Sequence, residues 1–349
     1  MKSFTTFIAL YLAIGAAICN AQASQPGTAP DRQQFASLGD FKLESGQVIQ
    51  DCKIGYRTYG HLNSAETNGI LFPTWFTGTA RQFEYLDAWK TIDTTHFFLI
   101  VVDALGNGVS SSPSNSIKQH GPAFPHFSIR DMVESQYQML THTLGINHLH
   151  AIIGGSMGGI QTFQWAGSYP AFASHLIPLI GSPQPGSYDL MVYNTVRIII
   201  EGDSAFNHGN YKVNPSIAAA SMVIVFSGAT PEFWVKTVPH EKFPAWLQSV
   251  SQTNFDWNDA YYQIMAVIGH DISKQYNGSM QEAAKHIQGK MLIIVSKQDH
   301  LVNPQPAIDF SKLLPAKLVV LDSDLGHGAA NFNDPQIHQS IVDELADAP

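Results

Sequence analysis

Three side chains far apart in the sequence have the types needed to make an alcohol reactive. The first is Ser156. It lies in Ile152-Ile153-Gly154-Gly155-Ser156-Met157-Gly158-Gly159, where an apolar run from Leu149 to Ile153 stops at two glycines and Ile160 to Ala166 follows as a helix-forming run. Gly-x-Ser-x-Gly between a strand and a helix is a nucleophile elbow, a strained turn that lifts the serine hydroxyl into the open. Glycine tolerates the positive φ and close backbone approach that such a turn demands. The helix N-terminus behind the serine presents free N–H groups that favour a developing negative charge.

A serine hydroxyl is a poor nucleophile at neutral pH. It needs a base, and the base needs an orienting carboxylate. In chains with this elbow the order is Ser, then Asp or Glu, then His. Asp299 follows the apolar run Ile293-Ile294-Val295, and His327 follows Val319-Val320-Leu321. The spacing assigns His327 as general base and acid, and Asp299 as the group that fixes its tautomer. Other candidates fit less well. Asp103 precedes the serine and suits turn chemistry. His270-Asp271 follows a helix-like run, Tyr261 to Ile268. His300 is adjacent to Asp299, too close in sequence to turn its ring onto that carboxylate and Ser156 together, and Asp322 and Asp324 precede His327 by only a few residues, which favours local loop bonding for them. The oxyanion donors are expected to be the N–H of Met157, the residue after the nucleophile, and an N–H from the loop Trp75-Phe76-Thr77-Gly78, with Phe76 as the choice.

The elements that must carry these residues read as an α/β pattern. Strands are expected at Phe41–Leu43, Val48–Tyr59, Gly69–Pro73, His96–Val102, the elbow strand, Ser174–Ile180, Met291–Ser296 and Lys317–Leu321. Several are apolar throughout, as strands buried on both faces of a parallel sheet are. Helices are expected at Tyr85–Ile92, from Ser128 (an N-cap with Asp131 three residues on) to Leu144 before Gly145, after the elbow, at Ala307–Leu314 and from Pro335. Alternating strands and helices give a mostly parallel central sheet flanked by helices. From residue 182 to 285 the alternation breaks into helices rich in Trp and Tyr, read as an inserted helical cap over the active-site end of the sheet. The core is then 38–181 with 286–349, and 24–37 is a flexible lead-in.

Composition bounds the function. The chain has 349 residues, of which 44% are hydrophobic and 13% charged, ample for a buried core. The formal net charge of −9, with no basic stripe, argues against nucleic acid as a partner. The 15 histidines are scattered without metal-ligand spacing, so no metal and no cofactor are expected. Residues 1–23 resemble a secretory signal: Lys2, an apolar run from Phe7 to Ile18 too short to span a bilayer, and Ala21-Gln22-Ala23 before a cleavage point at Ser24. Removing it leaves Cys52 as the single cysteine, so stability must come from the core. The expected product is exported, periplasmic or secreted, without stable membrane insertion. The pattern leaves a homodimer open.

With these residues in place, the chain resembles the homoserine O-acetyltransferase-like branch of the α/β-hydrolases, from about Gly55 to the C-terminus. The resemblance is carried by Gly154 to Gly159, by Phe124-Pro125 with Ile129-Arg130-Asp131-Met132-Val133, and by Phe255-Asp256-Trp257-Asn258 through His270-Asp271. It implies an α/β-hydrolase fold with its triad on Ser156, Asp299 and His327, and it puts His270-Asp271 in a cap helix. Two departures stand out. The family's Asp after the histidine, which holds the substrate amine, is here Gly328. The stretch that carries the family's carboxylate-binding Arg, Ser216–Val225, has none. An amino-acid zwitterion in a pocket needs charge partners. The expectation is therefore a serine hydrolase of small-molecule esters working through an acyl-enzyme. Acyl transfer from an acyl-CoA and a non-catalytic binding role on the same scaffold are the alternatives.

Overall fold

The computed structural model describes residues 32–86 and 88–346. Its eight strands are β1 (Gln34–Lys42), β2 (Val48–Tyr59), β3 (Gly69–Pro73), β4 (Phe98–Val102), β5 (Leu149–Gly155), β6 (Ala173–Leu179), β7 (Lys290–Ser296) and β8 (Ala316–Leu321). They form one sheet in the order β1-β2-β4-β3-β5-β6-β7-β8. The β1–β2 and β2–β4 pairs are antiparallel and the other five pairs are parallel.

The side-chain period of a strand, two residues, divides the core. Leu71 and Ile152 face a cluster that takes Met132 and Val133 from α1 (Ile129–Gln138) and Phe163 from α2 (Met157–Ser168). Their neighbours Ile70, Phe72, Ala151 and Ile153 face the opposite side, against Phe83 and against Ile337 and Ile341 of the C-terminal helix, Pro335–Leu345. Both faces of the central strands are covered, which is why β3 and β4 are apolar throughout and β5 nearly so, with His150 its one polar side chain.

Between β6 and β7 the described chain is helical: α3 (Ser187–Gly202), α4 (Ala218–Ser227), α5 (Pro231–Thr237), α6 (Phe243–Val250), α7 (Trp257–Ile268) and α8 (Met280–His286). Val196, Ile200, Phe206, Trp257, Ala260 and Ile264 give this insertion an apolar centre of its own. After β7 come α9 (Gln305–Ser311), β8 and α10, the C-terminal helix.

Several boundaries differ from the sequence reading. Residues 34–37, assigned to the lead-in, belong to β1, where Ala36 is buried and pairs with Ile54; the strand is broken in register at Gly39, which hid it. Residues 24–31 of the lead-in and the signal-like segment 1–23 lie outside the described residues. The helix expected at Tyr85–Ile92 is two short 3₁₀ turns, Ala80–Leu86 and Ala88–Lys90. β4 starts at Phe98, because Asp93 draws the His96 and Phe97 N–H groups into a turn. The capping box at Ser128 and Asp131 is present, but the regular helix ends at Gln138 and a π-turn carries it to Thr143, with Gly145 at φ +72° just beyond.

Candidate active site

Ser156 stands between β5 and α2 at φ 57° and ψ −124°, a left-handed backbone that a non-glycine residue holds only where its surroundings fix it. Its N–H donates to Leu179 O (3.0 Å) and its carbonyl accepts the Ile160 N–H (2.9 Å), so both sides of the turn are tied down. A Cβ at Gly158 would fall 2.4 Å from Pro73 O, and one at Gly154 would fall 2.2 Å from Gly158 O. Those two glycines let the elbow close. Gly155 has nothing within 4 Å of where its Cβ would be, so contact does not account for it.

The structure brings Ser156, His327 and Asp299 together. His327 Nε2 is 2.8 Å from Ser156 Oγ, and His327 Nδ1 is 2.6 Å from Asp299 Oδ2. The other oxygen, Asp299 Oδ1, accepts the N–H groups of Leu301 and Val302, each at 2.8 Å. Asp299 and His327 are both buried. A carboxylate with three fixed donors has little freedom to turn. Its hydrogen bond to Nδ1 puts the proton there and leaves Nε2 as the acceptor facing the serine. The sheet explains the meeting: Ser156, Asp299 and His327 follow the C-terminal ends of β5, β7 and β8, and parallel strands put those ends on one edge.

Met157 is the first residue of α2, so its N–H is an orphan donor of the helix start. Among the described residues the Phe76 N–H has no acceptor, whereas the next one, Thr77 N–H, is already spent on Gln263. Phe76, Ser156 and Met157 share the wall of one pocket with Ile160, Tyr193, Val196, Ile224, Ile264, Val267 and Leu301. Its free volume is about 30 Å³. The lining is apolar except at Ser156 and Tyr193, and most of its far wall comes from α3, α4 and α7.

The competing candidates are elsewhere occupied. Asp103 is buried and accepts from the Ala80 N–H (2.7 Å), Asn107 and Gln33. Asp322 is held by Gln298 and Lys297. His270 is buried in the turn after α7, not in the helix, and burial pushes its imidazole down to about 4, so it is neutral. His300 packs edge-on against Tyr188.

Three contacts of the site were missed by sequence reasoning, and all come from the insertion. Asp189 in the first turn of α3 accepts from the Gly186 and Asn303 N–H groups, both at 2.7 Å, beside the Asp299 loop. Burial pushes its carboxyl up to about 6, opposed by those two amides. Thr230 donates through its N–H (3.0 Å) and Oγ1 (2.8 Å) to Asp324 O, and the Gly328 N–H donates to Gly228 O (3.2 Å), tying the α4–α5 corner to the His327 loop. Gln263 of α7 holds the Phe76 loop. In sequence these are ordinary polar residues; only Asp189, acidic near a helix start, carried even a local signal.

A serine on an elbow after a central parallel strand, hydrogen-bonded to a histidine from the last strand's loop, defines an enzyme of the α/β-hydrolase fold. The comparisons agree. A family model described as alpha/beta hydrolase fold matches residues 70–194. The chain is 31% identical to a homoserine O-acetyltransferase of Pasteurella multocida, covering 83% of this chain and 91% of that one. It is 27% identical to an ethyl acetate hydrolase of Pseudomonas veronii, covering 90% and 94%. An acetylester hydrolase structure from Corynebacterium glutamicum superposes with a TM-score of 0.83 at 27% identity, covering 90% and 96%. The chain belongs to the homoserine O-acetyltransferase-like branch of the α/β-hydrolases, in which hydrolases and acyltransferases share one scaffold.

Proposed function

We propose that this chain is an exported serine hydrolase of short-acyl esters, working through an acyl-enzyme. Ser156 Oγ attacks the ester carbonyl while His327 Nε2 takes its proton. The tetrahedral intermediate collapses as His327 returns that proton to the leaving alcohol, and the acyl group stays on Ser156. Water then attacks the acyl-serine with His327 again as base, releasing the acid. Asp299 stabilises the imidazolium at each stage. The Met157 and Phe76 N–H groups hold the oxyanion, each worth roughly 3–4 kcal/mol in the transition state. The insertion, residues 182–285, serves as a cap that supplies most of the acyl pocket. The observation that carries this reading is the buried relay of 2.8 Å and 2.6 Å from Ser156 through His327 to Asp299.

Hydrolysis is preferred to transfer onto homoserine on chemical grounds. The described pocket lining offers no Arg, Lys, Asp or Glu to pair with a zwitterion, and Gly328 stands where the resemblance to homoserine O-acetyltransferases implies an Asp. The likeness to homoserine O-acetyltransferases keeps acyl transfer as the second reading. One experiment separates them. The chain from Ser24 onward is incubated with 4-nitrophenyl acetate without CoA, and separately with acetyl-CoA and homoserine. Hydrolysis in the first, lost in Ser156→Ala together with fluorophosphonate labelling, supports the proposal. Ester formation only in the second replaces it with transfer, and folded protein that neither labels nor turns over either substrate removes both. Export is tested by fractionating cells that express the full chain; a product that keeps residues 1–23 in the cytoplasm overturns it.

A further inference from the structure

Trp75 to Gly78 form a tight turn closed by the Gly78 N–H donating to Trp75 O (2.8 Å). Thr77 is its third residue and sits at φ +54°. Turns of this kind ordinarily place Gly or Asn there, and a β-branched residue at positive φ is a conformational outlier. The strain is therefore held by something outside the turn. The Thr77 N–H donates to Gln263 Oε1 at 2.8 Å, and Gln263 Nε2 donates to Leu105 O at 3.1 Å. The two partners, one donor and one acceptor, fix which end of the amide is which. Gln263 is fully buried, 186 residues from Thr77 in sequence, and its helical neighbours Ile264 and Val267 line the pocket.

We propose that Gln263 is a positioning residue for the oxyanion site: by holding Thr77 in its left-handed conformation it aims the preceding N–H, that of Phe76, at the substrate oxygen. The proposal rests on the serine-hydrolase reading above. Without the clamp, Thr77 relaxes towards negative φ and the peptide plane between Phe76 and Thr77 turns, carrying the Phe76 backbone with it. The same amide spans from α7 to the loops after β3 and β4, so the helix that shapes the acyl pocket also sets the oxyanion donor.

Gln263→Met keeps the side-chain volume and removes both hydrogen bonds. With 4-nitrophenyl acetate it is expected to lower kcat by about tenfold to a hundredfold, approaching what loss of one oxyanion donor does, with KM changed by less than about threefold. Affinity for a trifluoromethyl ketone, which forms an oxyanion on the serine, should fall in parallel with kcat. Adding Thr77→Gly makes positive φ cheap at that position and should recover part of the lost kcat, which a merely structural role for Gln263 would not allow. Gln263→Glu keeps the acceptor for the Thr77 N–H and serves if the Met variant fails to fold; its kcat should exceed that of Gln263→Ala. Unchanged kcat in Gln263→Met, a loss confined to KM, or no recovery in the double variant overturns the proposal. If the unsubstituted chain neither labels with fluorophosphonate nor hydrolyses the ester, the hydrolase reading itself has failed, and the proposal falls with it.

Discussion

Asp189 and Asp299 hold one stretch of chain between them: Asp299 takes the amides of Leu301 and Val302, and Asp189, from the inserted helix α3, takes the next amide, Asn303. Asp299, the carboxylate that His327 touches, is thus anchored on a loop that a second buried carboxylate continues to hold. The second oxygen of Asp189 is also committed, to the Gly186 N–H. An asparagine has only one acceptor oxygen, so Asp189→Asn leaves one of the two amides facing an NH₂ group. A buried donor without an acceptor costs about 1–3 kcal/mol, and that loss is expected in chemical unfolding. The pH dependence has a defined sign. Burial raises the Asp189 carboxyl from its ordinary 3.8 to about 6. Between about pH 4 and pH 6 the native chain therefore keeps a proton that the unfolded chain has lost, and this group's contribution to stability falls as pH rises through that window. The variant does not titrate there. The stability advantage of the unsubstituted chain over Asp189→Asn should shrink from about pH 4 to about pH 6 and then level off. Urea unfolding across that range measures it, and an advantage that grows with pH would contradict the assignment.

Two glycines of the elbow, Gly155 and Gly158, should respond differently to a methyl group. At Gly158 the added Cβ would lie 2.4 Å from Pro73 O, backbone against backbone, and neither β3 nor α2 can move aside without opening the elbow. Gly158→Ala is expected to destabilise by about 1–3 kcal/mol and to reduce fluorophosphonate labelling of the protein that remains folded. At Gly155 nothing lies within 4 Å, so Gly155→Ala should stay within about 0.5 kcal/mol of the unsubstituted chain. Thermal unfolding of the two variants side by side tests this; equal losses would mean that the elbow's glycines serve chain freedom and not close approach.

Much of the fold was legible because the central strands are buried on both faces, so β3, β5 and β7 read as apolar runs with clear ends. The grouping of Ser156, Asp299 and His327 was legible in part for the same reason: Ser156 and Asp299 follow such buried runs, His327 follows the short apolar run of the half-exposed edge strand β8, and a parallel sheet gathers those ends. The start of β1 was not legible, because the strand breaks register at Gly39 and shows solvent on most of its positions. Nor was the short 3₁₀ character of the Ala80–Lys90 segment, since periodicity does not separate a 3₁₀ turn from a short α-helix. The supports of the site were hidden for a different reason. Asp189 and Gln263 act on residues 114 and 186 positions away, and no local pattern encodes a hydrogen bond of that range. A buried polar residue on an inserted helix reads in sequence as one on a solvated face.

On the hydrolase reading proposed above, acyl-chain length is the remaining property that the pocket would set. Its cavity volume of about 30 Å³, room for about two water molecules, suits a short acyl group beside Ser156. Ile224 of α4 forms part of the wall and is only half-buried, so shortening it should open space without emptying a closed core. Each methylene accommodated or excluded in an apolar pocket is worth about 1–3 kcal/mol, or 10–200-fold in discrimination. Ile224→Ala should therefore raise the ratio of kcat/KM for 4-nitrophenyl butyrate to that for the acetate by about tenfold or more, mainly through better use of the longer ester. A matched loss on both esters would mean that Ile224 supports α4 without limiting the acyl group. An unchanged ratio with unchanged rates would place the acyl chain along another wall of the pocket, away from α4.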